Sequence, residues 1–319
     1  MFYLYNSDEA RTLLDSYIQT ADQYDDRGNS RTLGGTSPQS AGYEVVQFME
    51  PPSLRIVRES QDGPEEVTVT IPGIICDKTL PPVYSLASHK FEHVRYLRQF
   101  IRLTGLGSEN FKKECDMFKH FESHFRQAPG VNNLEGFDFG QFEGNVCAAL
   151  HARYFTERRF VRGQSNIPFG PEIDPNDALA AAQGTKFIRI EDNVVQYSKK
   201  VVTDNGRVQY EPLSPAEFKE GDIVEATGTF VAYPERKRGD YVLVFALRSL
   251  TMLSSATREA AKVKLKLKTE VDERKAARRK KVKRPTAGSL KRRYISYGAP
   301  SALQDKMRLD GQDEMRLDG

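Results

Sequence analysis

The sequence predicts an α+β protein in which a mixed N-terminal region precedes a small β-barrel or sandwich and a disordered basic tail. Three observations lead to this prediction. Apolar residues between positions 85 and 127 recur at helical spacing, whereas between positions 186 and 253 they alternate with polar residues, as strands require. Beyond residue 254 positive charge accumulates.

Composition supports a folded body. Of the 319 residues, 39% are hydrophobic and 10% aromatic, enough for a sizeable core. No run of about 18 apolar residues occurs, so we expect no membrane-spanning segment. The first residues lack a basic region followed by an apolar one, so we expect no secretory signal. Cys76, Cys115 and Cys147 are too few for a disulfide framework, which favours reduced thiols in a nuclear or cytosolic protein.

Residues 1–42 are predicted to form an N-terminal helix and a flexible linker. The helix spans residues 7–21, with Ser7 or Asp8 as its N-cap. Residues 22–42 are rich in Asp, Gly, Ser and Thr, the composition of a mobile connection.

Residues 43–166 are predicted to form an α/β region with amphipathic helices. Strands are expected over residues 43–48, 54–57 and 66–71. A first helix is predicted from four apolar residues at helical spacing: Phe91, Val94, Leu97 and Ile101.

A second helix should begin after Ser108, which can cap it. Its apolar stripe comprises Phe111, Cys115, Phe118, Phe121 and Phe125. A further helix is expected around residues 140–155. Four residues that break regular structure, Pro168, Gly170, Pro171 and Pro175, then mark a boundary.

Residues 172–254 are predicted to form a β-rich, OB-like module. Asn205-Gly206 accepts positive φ cheaply, so residues 193–203 and 207–213 should form a hairpin. A second hairpin is expected between residues 222–233 and 241–253. In its first strand the alternation predicts one shared face for Val224, Ala226, Gly228, Phe230 and Ala232. At least five strands in about 70 residues favour a small barrel or sandwich.

The β-rich module also resembles a pattern found in uncharacterised proteins of basidiomycete fungi. The matching residues are Asp174-Pro175, Ile190–Tyr197, Phe218–Glu225, Phe230–Pro234 and Leu247–Leu250. The resemblance covers about a quarter of the chain. It implies a reused structural unit and a fungal source, and it brings no assigned activity.

Charge is strongly segregated along the chain. Between Arg258 and Arg293 there are 16 Lys and Arg but only 4 Asp and Glu, although the whole chain has a net charge of +3. We expect residues 255–319 to form the disordered basic tail, with a nascent helix beyond Glu270. Its most basic run suits nuclear import or contact with nucleic acid, and the candidate residues are Arg274, Lys275, Arg278, Arg279, Lys280, Lys281, Lys283 and Arg284. The alternative is a solvated tail that only keeps the protein soluble.

The OB-like module offers a second set of candidate nucleic-acid contacts. An OB fold often carries single strands on an aromatic and basic face. The candidates are Tyr197, Lys199, Lys200, Tyr210, Tyr233, Arg236, Lys237, Arg238, Tyr241 and Arg248. For the aromatic members of this set, places in the core or in cross-strand pairs are favoured over contact with nucleic acid.

Metal binding and catalysis find less support. Two histidine pairs have i, i+4 spacing, His89 with His93 and His120 with His124. Cys115 lies five residues before His120, and this arrangement suits zinc in principle. Neither a His-Glu-x-x-His motif nor a Cys-x-x-Cys pair accompanies them, which favours surface histidines. No nucleophile elbow and no glycine-rich phosphate loop occurs. Residues 191–193 and 221–222 suit turn-shaping roles. We therefore expect a protein that is not an enzyme, with no cofactor and no metal.

Two functions are favoured by the sequence, ahead of a metal-dependent enzyme that would use the histidine pairs. The first is a nuclear accessory protein that binds nucleic acid mainly through its tail, with the β-rich module adding contacts. The second is a protein-interaction module whose basic tail serves only as a nuclear-import signal. Both place the protein in the nucleus, and their partners are nucleic acid, the import machinery or another protein.

Overall fold

The computed structural model describes residues 4–23, 31–32, 42–61, 63–137, 139–203, 205–235 and 239–282. The protein is a mixed α+β structure made mostly of sheet with a few helices. The helices are α1 (Ser7–Gln23), α2 (Phe91–Arg95), α3 (Glu109–Arg126), α4 (Ala178–Gln183) and α5 (Ala256–Val282). The strands are β1 (Arg31–Thr32), β2 (Tyr43–Met49), β3 (Pro52–Ser60), β4 (Gly63–Glu66), β5 (Val69–Thr79), β6 (Arg98–Thr104), β7 (Asn133–Glu135), β8 (Gly140–Phe142), β9 (Asn145–Arg153), β10 (Thr156–Glu157), β11 (Phe187–Ile188), β12 (Gln196–Val202), β13 (Val208–Pro212), β14 (Ile223–Pro234) and β15 (Asp240–Ser254).

The described residues up to Leu267 belong to one compact unit, and those from Lys268 onward belong to a second. Within the ranges given above, no helix has both the length and the apolar character needed to cross a membrane.

Five strands pair around a closed circuit. β5 pairs with β6, β6 with β9, β9 with β15, β15 with β14, and β14 again with β5. All of these pairings are antiparallel except that of β9 with β15, which is parallel and joins His151 to Ala246. Since the circuit returns to its first strand, the inward side chains of all five strands meet in one interior.

β14 shows why the sequence builds this interior. Its inward residues Val224, Ala226, Phe230 and Ala232 are fully buried in the main hydrophobic core, as their alternation predicts. Gly228 lies on the same strand where a Cβ would come within 2.7 Å of the Ala246 carbonyl oxygen. Only glycine allows β14 and β15 to approach so closely there.

Helix α3 fills the interior with phenylalanine. Phe118 and Phe121 are fully buried and contact the β14 residue Phe230, with ring centroids 5.2 and 4.3 Å apart. The predicted stripe of α3 is therefore confirmed, as is its cap, since Phe111 N–H donates to Ser108 Oγ at 3.0 Å. The helix begins at this cap, and its five stripe residues are buried.

Further strands extend the sheet beyond the circuit. β3 and then β2 continue from β14, and β12 and then β13 continue from β15. The circuit itself takes β5, β6 and β9 from the predicted region of residues 43–166, and β14 and β15 from the predicted module of residues 172–254. Neither segment closes the circuit alone, so both contribute to one sheet.

The predicted hairpins are confirmed. β12 pairs antiparallel with β13, and β14 pairs antiparallel with β15 from Ile223 to Pro234. The N-terminal helix is confirmed as α1. Local turn chemistry and side-chain period specify these elements with no help from distant partners.

Two predicted helices are wrong. The helix expected through Ile101 is limited to the short α2, and the chain then enters β6, which pairs along its length with β5 and β9. The helix expected around residues 140–155 is replaced by the β8–β9 hairpin. In both places strand pairing with distant segments overrides a local apolar spacing that also suits a helix.

The sequence predicted a tail that is disordered from residue 255. Instead, residues 256–282 form α5. The alternation of Lys with Val and Leu over residues 262–268 lies within this helix. Lys, Leu, Ala, Arg and Glu are good helix formers, and they dominate the segment. The predicted tail beyond residue 282 lies outside the described residues.

Candidate nucleic-acid interface

The outer face of β6 and β9 carries a basic and aromatic surface, which we call the β6–β9 face. It is defined by Arg98, Phe100 and Arg102 on β6 and by Ala149, His151 and Arg153 on β9. In the strand register Arg98 is opposite Arg153, Phe100 is opposite His151, and Arg102 is opposite Ala149. The intervening residues point inward and are buried: Gln99, Ile101, Leu103, Ala148, Leu150 and Ala152.

Arg98 and Arg153 are like charges placed directly across the strand pair. Such a pair is unfavourable in a sheet, and in the described part of the chain neither guanidinium pairs with a carboxylate. Arg153 lies over the ring of Tyr233, 5.0 Å from its centroid. Arg102 lies over Phe100 at 5.6 Å and is 3.5 Å from the carboxylate of Asp77. The face therefore keeps an excess of positive charge beside the partly exposed ring of Phe100.

His151 is a neutral member of this face. Burial, together with the charges of Arg98 and Arg153, lowers its pKa to about 4. At pH 7 its imidazole is therefore uncharged and can both donate and accept a hydrogen bond.

A cleft of about 120 Å³ adjoins the β9 side of the face. Strand residues of β9, β14 and β15 and the segment that follows β9 line it. Its ring-bearing lining residues are His151, Phe155, Phe160, Phe187 and Tyr233. Arg95 and Arg153 also line it. The carboxylates of Glu157 and Asp192 line it as well, so the cleft is aromatic and carries charges of both signs.

Several residues predicted as contacts in the β-rich module have structural partners instead. The Tyr197 hydroxyl donates to Gln99 Oε1 at 2.5 Å, and its ring lies 5.8 Å from that of Phe218. Lys199 pairs with Glu211 at 3.0 Å across the β12–β13 hairpin. Lys200 is partly exposed on β12, away from the β6–β9 face.

Arg248 is held in an ion cluster. Its Nη2 lies 3.1 Å from Asp192 Oδ1 and 3.2 Å from Glu66 Oε1, and Arg55 pairs with the same two carboxylates. Burial by itself would raise the pKa of Asp192, but Arg55 and Arg248 bring it below its usual value. Because both acids neutralise both arginines, Arg248 is committed to the fold, and it is a poor candidate for a phosphate contact.

The remaining predicted tyrosines are dispersed. Tyr233 lies at the cleft, and Tyr241 packs against the core. Tyr210 is on β13, the terminal strand of the sheet, and is 42% exposed. Residues 236–238, predicted to lie at a hairpin tip, are outside the described residues. The β14–β15 hairpin that encloses them is present, with Pro234 paired to Tyr241.

The predicted basic run lies in and beyond α5. Arg274 and Lys275 are exposed on this helix. Residues 278–281 belong to the helix, although their side chains are not among those described. Lys283 and Arg284 lie outside the described residues.

The predicted turn-shaping residues do shape turns. Asn193 Oδ1 accepts from Ile190 N–H at 3.0 Å and from the Thr156 hydroxyl at 3.2 Å. Asp222 Oδ2 accepts from Lys219 N–H at 2.7 Å. These bonds fix the segments that lead into β12 and β14.

The histidines with zinc-like spacing do not converge. His89 precedes α2 and is not on a helix, whereas His120 lies on the exposed side of α3. Cys115 is buried on the opposite side of α3, where burial raises its pKa. Over the described ranges, no group of three or more His, Cys, Asp and Glu side chains is placed to hold a metal ion. All three cysteines are free and buried.

Sequence reasoning missed the residues of the β6–β9 face. A signal was present, because basic or aromatic residues alternate with apolar or neutral ones in Arg98-Gln99-Phe100-Ile101-Arg102-Leu103. This alternation predicts a half-buried strand. It was obscured by the preceding apolar residues, which continue a helical spacing.

Comparison with known proteins adds little. No protein-family model and no curated protein sequence matches the chain. A similar solved structure is gp2.5, a single-stranded DNA-binding protein encoded by bacteriophage T7. It is 11% identical, and the match covers 59% of this chain and 91% of that one, with a TM-score of 0.30. So low a score supports no functional argument.

Proposed function

We propose that this protein binds single-stranded nucleic acid across the β6–β9 face. The observation that carries the proposal is the pair Arg98 and Arg153, directly opposite on neighbouring strands without carboxylate partners and adjacent to Phe100. A phosphate backbone supplies the negative charge that neutralises both guanidinium groups, and no carboxylate of the described residues does so. The ring of Phe100 belongs to none of the buried clusters and can stack on an unpaired base.

The order of the strands supports the choice of this face. Along the chain the circuit strands are β5, β6, β9, β14 and β15, and we interpret the circuit as an OB-like barrel. OB folds bind oligonucleotides on their second and third strands and on the loop between the fourth and fifth. Here those positions are β6, β9 and the connection between β14 and β15, in which Arg236, Lys237 and Arg238 lie outside the described residues. Since fold alone does not define function, the unpaired arginines remain the stronger argument.

The double variant R98Q/R153Q tests the proposal. We expect its affinity for a fluorescent 12-nucleotide single strand at 50 mM salt to fall about 10- to 100-fold, which is about 1.4–2.7 kcal/mol. Each lost phosphate contact should also reduce the slope of log K against log salt by about 0.7. Fluorescence anisotropy over a salt series measures both quantities. A duplex of the same length should bind more weakly, because its bases are already stacked.

A matched control removes two positive charges elsewhere. Arg11 and Arg126 are exposed on α1 and α3 and pair with acids on their own helices. R11Q/R126Q should bind as the unmodified protein does. If it loses as much affinity as R98Q/R153Q, binding follows overall charge and the β6–β9 face has no special role. If neither double variant binds less tightly, the proposal is wrong.

We further propose that the basic run of α5 and the residues after it direct the protein to the nucleus and add electrostatic affinity. A chain ending at Glu273 retains Arg258 and lacks the predicted import residues. We expect a fluorescent fusion of it to leave the nucleus and its salt slope to become shallower, because fewer phosphates are neutralised. A fusion that stays nuclear contradicts the import role. If localisation is lost while the salt dependence is unchanged, the run acts in import alone, as the second function suggested by the sequence requires.

A further inference from the structure

The cleft beside the β6–β9 face has the size and shape of a site for one planar ring. Its volume of about 120 Å³ is close to that of a cavity of about 150 Å³ that takes benzene. Phe155 and Phe187 are buried in one cluster, with ring centroids 5.8 Å apart. Phe160 and Tyr233 are partly exposed and lie at the cleft. Rigid aromatic walls favour a flat, unsaturated ligand.

Polar groups with unused hydrogen-bonding capacity also line the cleft. Asn193 is only 4% exposed, and its Oδ1 accepts two bonds, yet its Nδ2 has no partner among the described residues. The Tyr233 hydroxyl and the His151 imidazole likewise have no hydrogen-bond partner within the described ranges. An amide donor at the cleft with free hydrogen-bonding capacity can bind a ligand that supplies an acceptor.

Charge at the cleft is arranged for an anionic chain. Two carboxylates line the cleft, and both are paired. Glu157 is neutralised by two arginines, with Nε–Oε distances of 2.9 Å to Arg95 and 2.8 Å to Arg159. Asp192 is paired with Arg55 and Arg248. Arg153 has no such acid and lies over Tyr233. A phosphate next to a bound ring would therefore meet Arg153, and it would meet no unpaired carboxylate of the cleft.

We infer that the cleft takes one unstacked pyrimidine base from the strand bound on the β6–β9 face. This inference rests on the proposed function and adds a base preference to it. The six-membered ring lies between the aromatic walls, and the O2 carbonyl, which cytosine, thymine and uracil share, accepts from Asn193 Nδ2. Arg153 binds the adjacent phosphate. A purine is too large for full insertion because of its second ring.

The test compares oligo-dT, oligo-dC and oligo-dA of 12 nucleotides at one salt concentration, with full-length protein and fluorescence anisotropy. The unmodified protein should bind both pyrimidine strands about tenfold more tightly than oligo-dA. Val244 lines the cleft and belongs to no buried cluster. V244F should therefore fill the cleft and abolish the preference, while its affinity for oligo-dA is retained. Y233F removes one hydroxyl and should reduce the preference about threefold.

Oligo-dA stacks in solution and resists unstacking, which by itself favours the binding of pyrimidine strands. The variants distinguish this origin of the preference from insertion of a base into the cleft. If the pyrimidine preference persists in V244F, it arises from strand stacking and the inference is overturned. Equal binding of the three strands by the unmodified protein also overturns it but leaves the proposed function intact. Failure of all three strands to bind overturns the proposed function and the inference together. Unfolding midpoints equal to that of the unmodified protein show that each variant is folded.

Discussion

Replacing Asp222 with alanine is expected to destabilise the protein by about 3–5 kcal/mol, the typical loss when one partner of a buried ion pair is removed. Asp222 is fully buried, and Arg258, at the start of α5, is only 6% exposed. The guanidinium donates through Nε to Asp222 Oδ1, and the other carboxylate oxygen accepts from Lys219 N–H. Removal of the carboxylate leaves a buried cation and an unsatisfied backbone donor.

The pKa of Asp222 indicates how far its bonds compensate for the burial of its carboxylate. Burial raises the pKa, and the bonds from Arg258 and Lys219 oppose that rise without cancelling it. The ion pair therefore contributes less than its close contact suggests, and most of the loss in D222A should come from the unpaired arginine. Glu259 also contacts Arg258, but its carboxylate is about half exposed and compensates only in part.

A double-mutant cycle with urea denaturation measures this effect. D222A/R258M should be more stable than D222A alone, because the methionine side chain places no charge in the interior. D116A, which breaks an exposed pair with Lys119 on α3, is a matched control and should change stability by no more than about 0.5 kcal/mol. If D222A is as stable as D116A, the pair does not hold the start of α5 to the start of β14. If the second substitution adds further loss, the unpaired-cation explanation is wrong.

Replacing Phe118 with alanine should cost about 3–5 kcal/mol, through lost burial and the cavity left behind. Its ring makes edge-to-face contacts with four others, at centroid distances of 4.9 Å to Phe137, 5.4 Å to Phe139, 5.2 Å to Phe230 and 5.2 Å to Phe245. The surrounding strands are fixed by their pairing and cannot close the cavity. Chemical denaturation gives the loss directly.

F100A is the matched variant, because it makes the same truncation on the β6–β9 face instead of in the core. Comparison of the two variants shows which phenylalanine matters for stability and which for binding. We expect it to change the unfolding free energy little, because Phe100 packs in none of the buried clusters. Its affinity for single strands should fall by about 1–3 kcal/mol, the range for one base stacked on an aromatic ring. If F118A proves no less stable than F100A, α3 does not organise the interior. If F100A binds as tightly as the unmodified protein, no base stacks on that ring.

The sequence by itself determined the elements that depend on local chemistry. Ser108 and the stripe of α3 are specified by capping and by helical spacing, and the β12–β13 hairpin by Asn205-Gly206. Alternation within residues 222–233 correctly assigned the buried face of β14. Charge segregation after residue 254 is a property of composition and needs no structure to be recognised.

Only the tertiary structure decided which surface is available for binding. β6 and β9 become strands because each pairs with segments far away in sequence, and this pairing opposes Arg98 to Arg153 on one face. The same long-range contacts withdraw Arg248 into a cluster with Asp192 and Glu66, and Tyr197 into a bond with Gln99. A side chain's type and spacing predict the face of an element on which it lies. Whether a partner neutralises it depends on which distant strand lies beside it, because the energy of an ion pair or hydrogen bond depends on distances that local sequence does not specify.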